Sequence, residues 1–324
     1  MEKRTIMLHH IKNIFIFLCL FSFHTNSSAA PWFTGPLLAP AGHVIPKGHT
    51  NLEIYGLDVF NNGFYNGEGN VIRTPLFRSV VVNPIISHGF TDWLDVQMTI
   101  PYTFNSTQGV KSNRLTDVSV AAGIQLFEQK GELNRLDARL LVQETLPTGR
   151  YDHLDPTLLG TDATGLGIYQ AQLGLNLQYL LPVFDTHYLR TRLILAHIFS
   201  SSVWVNGVNS YGGSVNTHGK VRVGSENDLD LAFEYTLTQN WVAVLEGYIS
   251  KGENSRFNGI LDIGNIGAPP VNIGNNSYIE KALAPALEYN FTSNVGVIGG
   301  VWFPVSGRNT PHYLTYMLAL NAFW

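Results

Sequence analysis

The chain has 324 residues, of which 45% are apolar, 12% aromatic and only 14% charged, with a formal net charge of −4. Soluble domains carry about 25% charged residues, so this composition excludes an ordinary solvated surface. Recurrent aromatic and β-branched residues exclude disorder, and nothing after residue 30 is long and unbroken enough in apolar residues to be a transmembrane helix.

Residues 1–29 read as a cleaved secretory signal peptide. Lys3, Arg4 and Lys12 form a positive leader, 14–23 is apolar, and small residues follow at Ser27, Ser28, Ala29 and Ala30. The apolar run is too short for an uncleaved anchor. Leu18 stands before Cys19 where a lipoprotein would have a small residue. Cleavage after Ala29 removes three bases, one acid and the only cysteine, leaving 17 bases against 23 acids, a net of −6. The exported chain then has no disulfide or thiol chemistry and no basic patch for nucleic acid. Residues 30–49 follow, and Pro31, Pro36, Pro40 and Pro46 keep them out of any central strand. They are expected to plug a lumen or to lie as a rim or periplasmic tail.

From residue 50 to 324 the pattern has period two, and no helical amphipathic stretch competes with it. Twelve strands are expected, at 50–60, 74–88, 93–102, 117–127, 136–147, 168–180, 188–199, 228–237, 241–250, 278–291, 295–304 and 313–324. The alternation is clearest at 168–180, where Tyr169, Ala171, Leu173, Leu175, Leu177 and Tyr179 oppose Gln170, Gln172, Gly174, Asn176 and Gln178. Short connections at 89–92, 128–135, 181–187, 238–240 and 292–294 alternate with mostly long ones at 61–73, 103–116, 148–167, 200–226, 251–277 and 305–310. This layout predicts an all-β fold, a closed antiparallel transmembrane β-barrel of twelve strands. A soluble sandwich would carry many charges on its second phase, whereas here glutamine, asparagine, serine and glycine dominate it. The phase is unsettled near Gly56, Glu144 and Pro285. At the C-terminus Tyr316, Leu318, Leu320, Ala322 and Trp324 share one phase, and this resembles the terminal signal of bacterial outer-membrane barrels, read by the barrel-assembly machinery.

Twelve strands at ~4.8 Å spacing and ~40° tilt give a backbone diameter of about 24 Å, leaving roughly 10 Å inside. The expected lumen lining is Asp95, Gln97, Asp117, Gln125, Asp137, Arg139, Gln170, Gln172, Asn176, Arg190, Arg192, Asp228, Asp230, Glu234, Glu280 and Glu288. Eight acids against three arginines predict a cation preference if the pore is open. Alternatively, inward charges pair and close it, with Arg192 beside Glu234 the best candidate pair. Histidine spacing predicts no metal site and no cofactor. Asp152, Asp155 and Asp162 share one loop and read as solvated charge rather than calcium ligands. Residues 160–165 read as a turn, since no helix or lysine follows for a phosphate loop. An outer-membrane lipid hydrolase would need a His–Ser pair, and His197 and Ser200 fall on opposite strand faces.

The stretches 42–46 (GHVIP), 89–94 (GFTDWL), 143–151 (QETLPTGRY), 160–165 (GTDATG) and 234–241 (EYTLTQNW) resemble those of the MetA-pathway phenol-degradation outer-membrane family, often called simply transporter. The resemblance spans most of the mature chain. It implies a barrel passing aromatic or other small apolar compounds, and it carries no substrate-binding residues over. The reading is a non-enzymatic Gram-negative outer-membrane channel for an unknown small solute, with membrane lipid and the assembly machinery as partners. The alternative is a closed structural or adhesive barrel.

Overall fold

A computed structural model describes residues 31–130, 134–184, 186–261 and 276–324, so the signal peptide expected at 1–29 lies outside the described residues. The strands are β1 (Thr50–Tyr65), β2 (Val71–Thr91), β3 (Leu94–Thr99), β4 (Tyr102–Thr107), β5 (Val110–Leu115), β6 (Val118–Phe127), β7 (Asp137–Leu146), β8 (Gln170–Val183), β9 (His187–Ser200), β10 (Ser202–Asn206), β11 (His218–Arg222), β12 (Glu226–Thr236), β13 (Trp241–Gly252), β14 (Arg256–Ile260), β15 (Tyr278–Asn290), β16 (Val295–Arg308) and β17 (Thr310–Phe323). Among the described residues no helix is long and apolar enough to cross a membrane.

Hydrogen bonding runs β1-β17-β16-β15-β13-β12-β9-β8-β7-β6-β3-β2, and β2 pairs with β1 again. This is a closed antiparallel barrel of twelve staves. Pro101 has no amide proton to give a ladder, and it separates β3 from β4, which continue as one stave along β2. β5 and β6 are likewise successive parts of one stave, interrupted at Thr116 and Asp117.

The barrel is apolar outside and polar inside. Leu173, Leu195, Leu231, Leu245, Leu287 and Leu318 are exposed on the outer wall, whereas Arg139, Asn176, Glu234, Glu246 and Glu288 are fully buried within. A soluble sandwich would reverse these two sets. Exposed aromatic residues gather at both margins: Phe90, Trp93, Trp241, Phe291 and Trp324 at the short-turn end, Tyr169, Phe199 and Tyr316 at the other. Two such belts bounding an apolar band are the outer surface of a membrane barrel.

The connections expected at 61–73 and 103–116 are tight hairpins instead, and that at 305–310 is shorter still. Only residues 66–70 separate β1 from β2, and only Asn309 separates β16 from β17. Gln108 and Gly109, with φ of 46° and 85°, turn β4 into β5. The strands therefore rise beyond the apolar band, and above the outward Tyr102, Phe104 and Leu115 this hairpin carries polar side chains on both faces. The remaining long connections hold a small antiparallel sheet, β10-β11-β14, with Val203, Val205, Tyr211 and Val221 buried against Ile168.

At the doubtful positions, Glu144 pairs with outward Val120 and Ala171, so it stays on the outer phase two residues from the end of β7. Pairing of β15 with β16 shifts register between Lys281 and Ala282, and it keeps one register on either side of Pro285, whose ring lacks a donor. In β1, Glu53, Tyr55 and Leu57 share the inner phase on either side of Gly56.

Leu245 lies exposed near the middle of β13. Leu245→Arg is expected to destabilise the barrel by about 2–4 kcal/mol, read as a lower urea midpoint for folding into vesicles. The same change at a loop position should leave the midpoint in place.

Candidate functional site

The lumen is the candidate site, and the proline-rich segment 31–47 occupies its short-turn half. Such a segment cannot pair its own amides, and any amide away from water needs an acceptor. The barrel wall supplies them. Glu288 accepts from the Thr34 amide at 2.8 Å and from Gly35 at 3.3 Å. Glu246 accepts from Leu37 at 2.5 Å, Leu38 at 3.0 Å and Ala39 at 2.9 Å. Further along, Gln178 accepts from Gly42 at 3.4 Å, Gln125 from Val44 at 2.7 Å and Asp95 from Ile45 at 2.9 Å. Lys47 then bridges to Gly89, where a Cβ would come within 2.2 Å of the Ile45 and Pro46 carbonyl oxygens.

Apolar and cationic contacts complete the seat. Leu37 packs among Val242, Val244, Ala284, Ile298 and Met317. The Arg190 guanidinium lies 4.1 Å from the Phe33 ring centroid, and Arg192 donates to the Ala39 carbonyl at 2.8 Å.

Of the expected lumen residues, Asp95, Asp137, Arg139, Asn176, Arg190, Arg192, Asp230, Glu234, Glu280 and Glu288 are buried inside the barrel. Gln97, Gln125, Gln170, Gln172 and Asp228 lie on the same phase, half-buried. Asp117 sits elsewhere: at the break between β5 and β6 it accepts from the Gly149 and Leu166 amides at 2.8 and 2.9 Å, bracing a long connection. The best partner of Glu234 is Arg190, directly opposite it in register and bonded through Nε at 2.6 Å. Arg192 is second, with its Nε 3.4 Å from Glu234. Among the described residues the other inward pair is Arg139 with Asp95, at 2.6 Å.

Glu246 and Glu53 escaped the sequence reading. In 241–250 both phases are apolar, with Val242 and Val244 beside Glu246 and Leu245 and Ile249 opposite. The signal that would find Glu246 is register against Ala232 and Ala284, both fully buried. Glu53 accepts from Asn321 at 3.3 Å.

The loop carboxylates are engaged by protein donors. Asp162 meets Arg150 at 3.2 Å and Asp152 meets His153 at 3.3 Å. Bonds from the Thr157 hydroxyl and amide hold the Asp155 carboxyl below its ordinary range. His197 bonds Asn227 at 2.8 Å on the outer phase, while Ser200 meets Gln170 at 3.4 Å on the inner one, so the two do not come together.

The sequence profile of the family named for a MetA pathway of phenol degradation matches residues 83–320. The chain belongs to this family. No curated protein matches it in sequence. Its fold is similar to that of the COG4313 outer membrane channel from Pseudomonas putida F1, with 14% identity, a TM-score of 0.68, and coverage of 89% of this chain and 100% of that one. The NanC porin is similar at 9% identity and a TM-score of 0.45, covering 84% of this chain and 98% of that one. The translocator domain of the autotransporter NalP from Neisseria meningitidis follows at 11% and 0.44, covering 84% and 88%.

A Cβ on Gly123 would lie 2.1 Å from Arg139 Nε and 2.3 Å from Asp95 Oδ1. Gly123→Ala is therefore expected to push the two apart and leave a buried charge unpaired. The expected cost is about 3–5 kcal/mol, seen as a lowered urea midpoint similar to that of Arg139→Met.

Proposed function

We propose that the protein is an outer-membrane channel for passive movement of small solutes, aromatic ones among them, and that residues 31–47 restrict its lumen. The observation that carries this reading is the set of wall carboxylates and amides accepting backbone amides from that segment. A channel fold and family membership support the passage. The aromatic solute class rests on what the family is named for. The segment crosses the wall's inner face without a regular ladder, so its release leaves every barrel strand paired.

Deletion of 31–48 is the direct test. Planar-bilayer conductance is expected to rise well above that of the full chain, while heat-dependent gel mobility stays that of a folded barrel. Equal and negligible conductance for both proteins would favour the closed structural barrel, for which the paired Arg139–Asp95 and Arg190–Glu234 are the supporting contacts.

Glu246→Gln reduces the charge on the acceptor of three amides. Charge-assisted bonds are worth about 1.5–3 kcal/mol each against about 0.5–1.5 for neutral ones. The variant is thus expected to show more frequent open events than the unaltered protein. Acids outnumber arginines along the lumen, so the deleted channel is expected to have a reversal potential on the cation side. An anion-side potential contradicts that selectivity.

We also take the outward-facing Tyr316, Leu318 and Leu320, with Ala322 and Trp324, as the terminal stretch read during assembly into the outer membrane, after export on the cleaved leader.

A further inference from the structure

The two halves of the lumen treat their carboxylates differently. At the short-turn half, Asp95 and Glu234 each meet an arginine. Toward the long-connection end, Glu226, Asp228 and Asp230 occupy successive inner positions of β12, and Glu280 stands on β15 in register with Ser250, which is itself opposite Asp228. Among the described residues none of these four is in an ion pair.

Their surroundings are aromatic. Asp228, Asp230, Tyr248 and Trp302 border a central cavity of about 680 Å³, whose short-turn side is lined by Arg139, Arg190 and Arg192. Tyr248 and Trp302 also border an adjoining cavity of about 490 Å³ with Glu226, Tyr278, Glu280 and Tyr313, and no lysine, arginine or histidine lines it. The Trp302 ring stands nearly perpendicular to Tyr248 and Tyr313, with centroids 6.2 and 5.2 Å away. Glu280 is held in place by Thr310 at 2.8 Å and Tyr313 at 2.6 Å.

Several polar atoms here lack a partner. Oδ1 of Asp228 and Oδ1 of Asp230 are buried without a hydrogen bond, and Asp230 is only 5% exposed. Thr315, 0% exposed and lining the smaller cavity, has an unpartnered hydroxyl. A buried carboxylate oxygen without a donor is costly, and it is satisfied by a ligand that brings N–H groups and positive charge together.

We propose that this end of the lumen is a binding site for small organic cations carrying an ammonium group. The carboxylates accept hydrogen bonds from the ammonium N–H groups, and the tyrosine and tryptophan rings face the alkyl or aryl body and its charge. A bare metal ion fits less well. Among the described residues no group of three histidines, cysteines, aspartates or glutamates lies close enough to hold one. The inference deepens the channel reading by naming a solute class, and it depends on that reading only for the ligand's route.

The test is equilibrium binding by calorimetry to the full-length protein in detergent micelles, with three probes of one shape: phenethylammonium, 2-phenylethanol and phenylacetate. Phenethylammonium is expected to bind at least about tenfold more tightly than either of the others. Asp228→Asn with Asp230→Asn should remove most of that preference, and Trp302→Leu should weaken phenethylammonium more than phenylacetate. Three equal affinities overturn the proposal, as does a preference that survives in the double variant while gel mobility remains that of a folded barrel. If that variant does not fold, the salt dependence of the unaltered protein decides. Affinity for phenethylammonium should fall as potassium chloride rises, and a salt-independent affinity overturns the proposal. Binding in micelles needs no conduction. A deleted barrel that conducts nothing therefore refutes the passage, while equal probe affinities refute the cation site.

Discussion

Hydrocarbon offers a backbone no water to bond, so a chain crossing it on strands must pair every amide and carbonyl within itself. Here the condition is met at the seam, where β17 joins β1 along its length and the Thr50 and Trp324 backbones exchange hydrogen bonds of 2.7 and 3.0 Å. Once the sheet closes, alternate side chains have no choice of environment. One set meets lipid and loses its charge, and the other faces an interior only about as wide as a few side chains.

That interior is crowded with groups that are expensive to bury alone. Two solutions coexist in it. Arg139 reaches past β6 to Asp95 on β3, and Arg190 neutralises Glu234 on the adjacent strand. Glu246 and Glu288 instead accept main-chain amides from a segment that has no ladder of its own. Prolines at 31, 36, 40 and 46 help the second solution, since each removes one donor that the wall would have to satisfy. The acids of the long-connection half use neither solution.

Strand number and closure were legible because lipid imposes its demand on every membrane-crossing stave. The alternation at 168–180 and 228–237 placed Asn176, Asp230 and Glu234 inside without any structure. Legibility failed where the solvent is the same on both sides. Above the outward Tyr102, Phe104 and Leu115, β4 and β5 rise past the apolar band with polar side chains on each face, so their sequence resembles a loop. It failed again where both phases are apolar, which hid Glu246, and where register depends on a short turn, which put Arg192 ahead of Arg190. The location of 31–47 was undecidable from composition. Most of its hydrogen bonds to the wall are made by its backbone atoms, and backbone atoms leave no mark in a sequence.

The segment in the lumen also continues directly into β1, bridging to Gly89 only three residues before that strand begins. It is in effect a ligand on a leash. Tethered ligands return at effective concentrations in the millimolar range, so a freed segment competes with every solute for the same wall groups. Dilution of the protein cannot wash it away, and a weak solute present at micromolar levels cannot hold it off. Lengthening the leash, rather than altering any contact, would be enough to shift that competition.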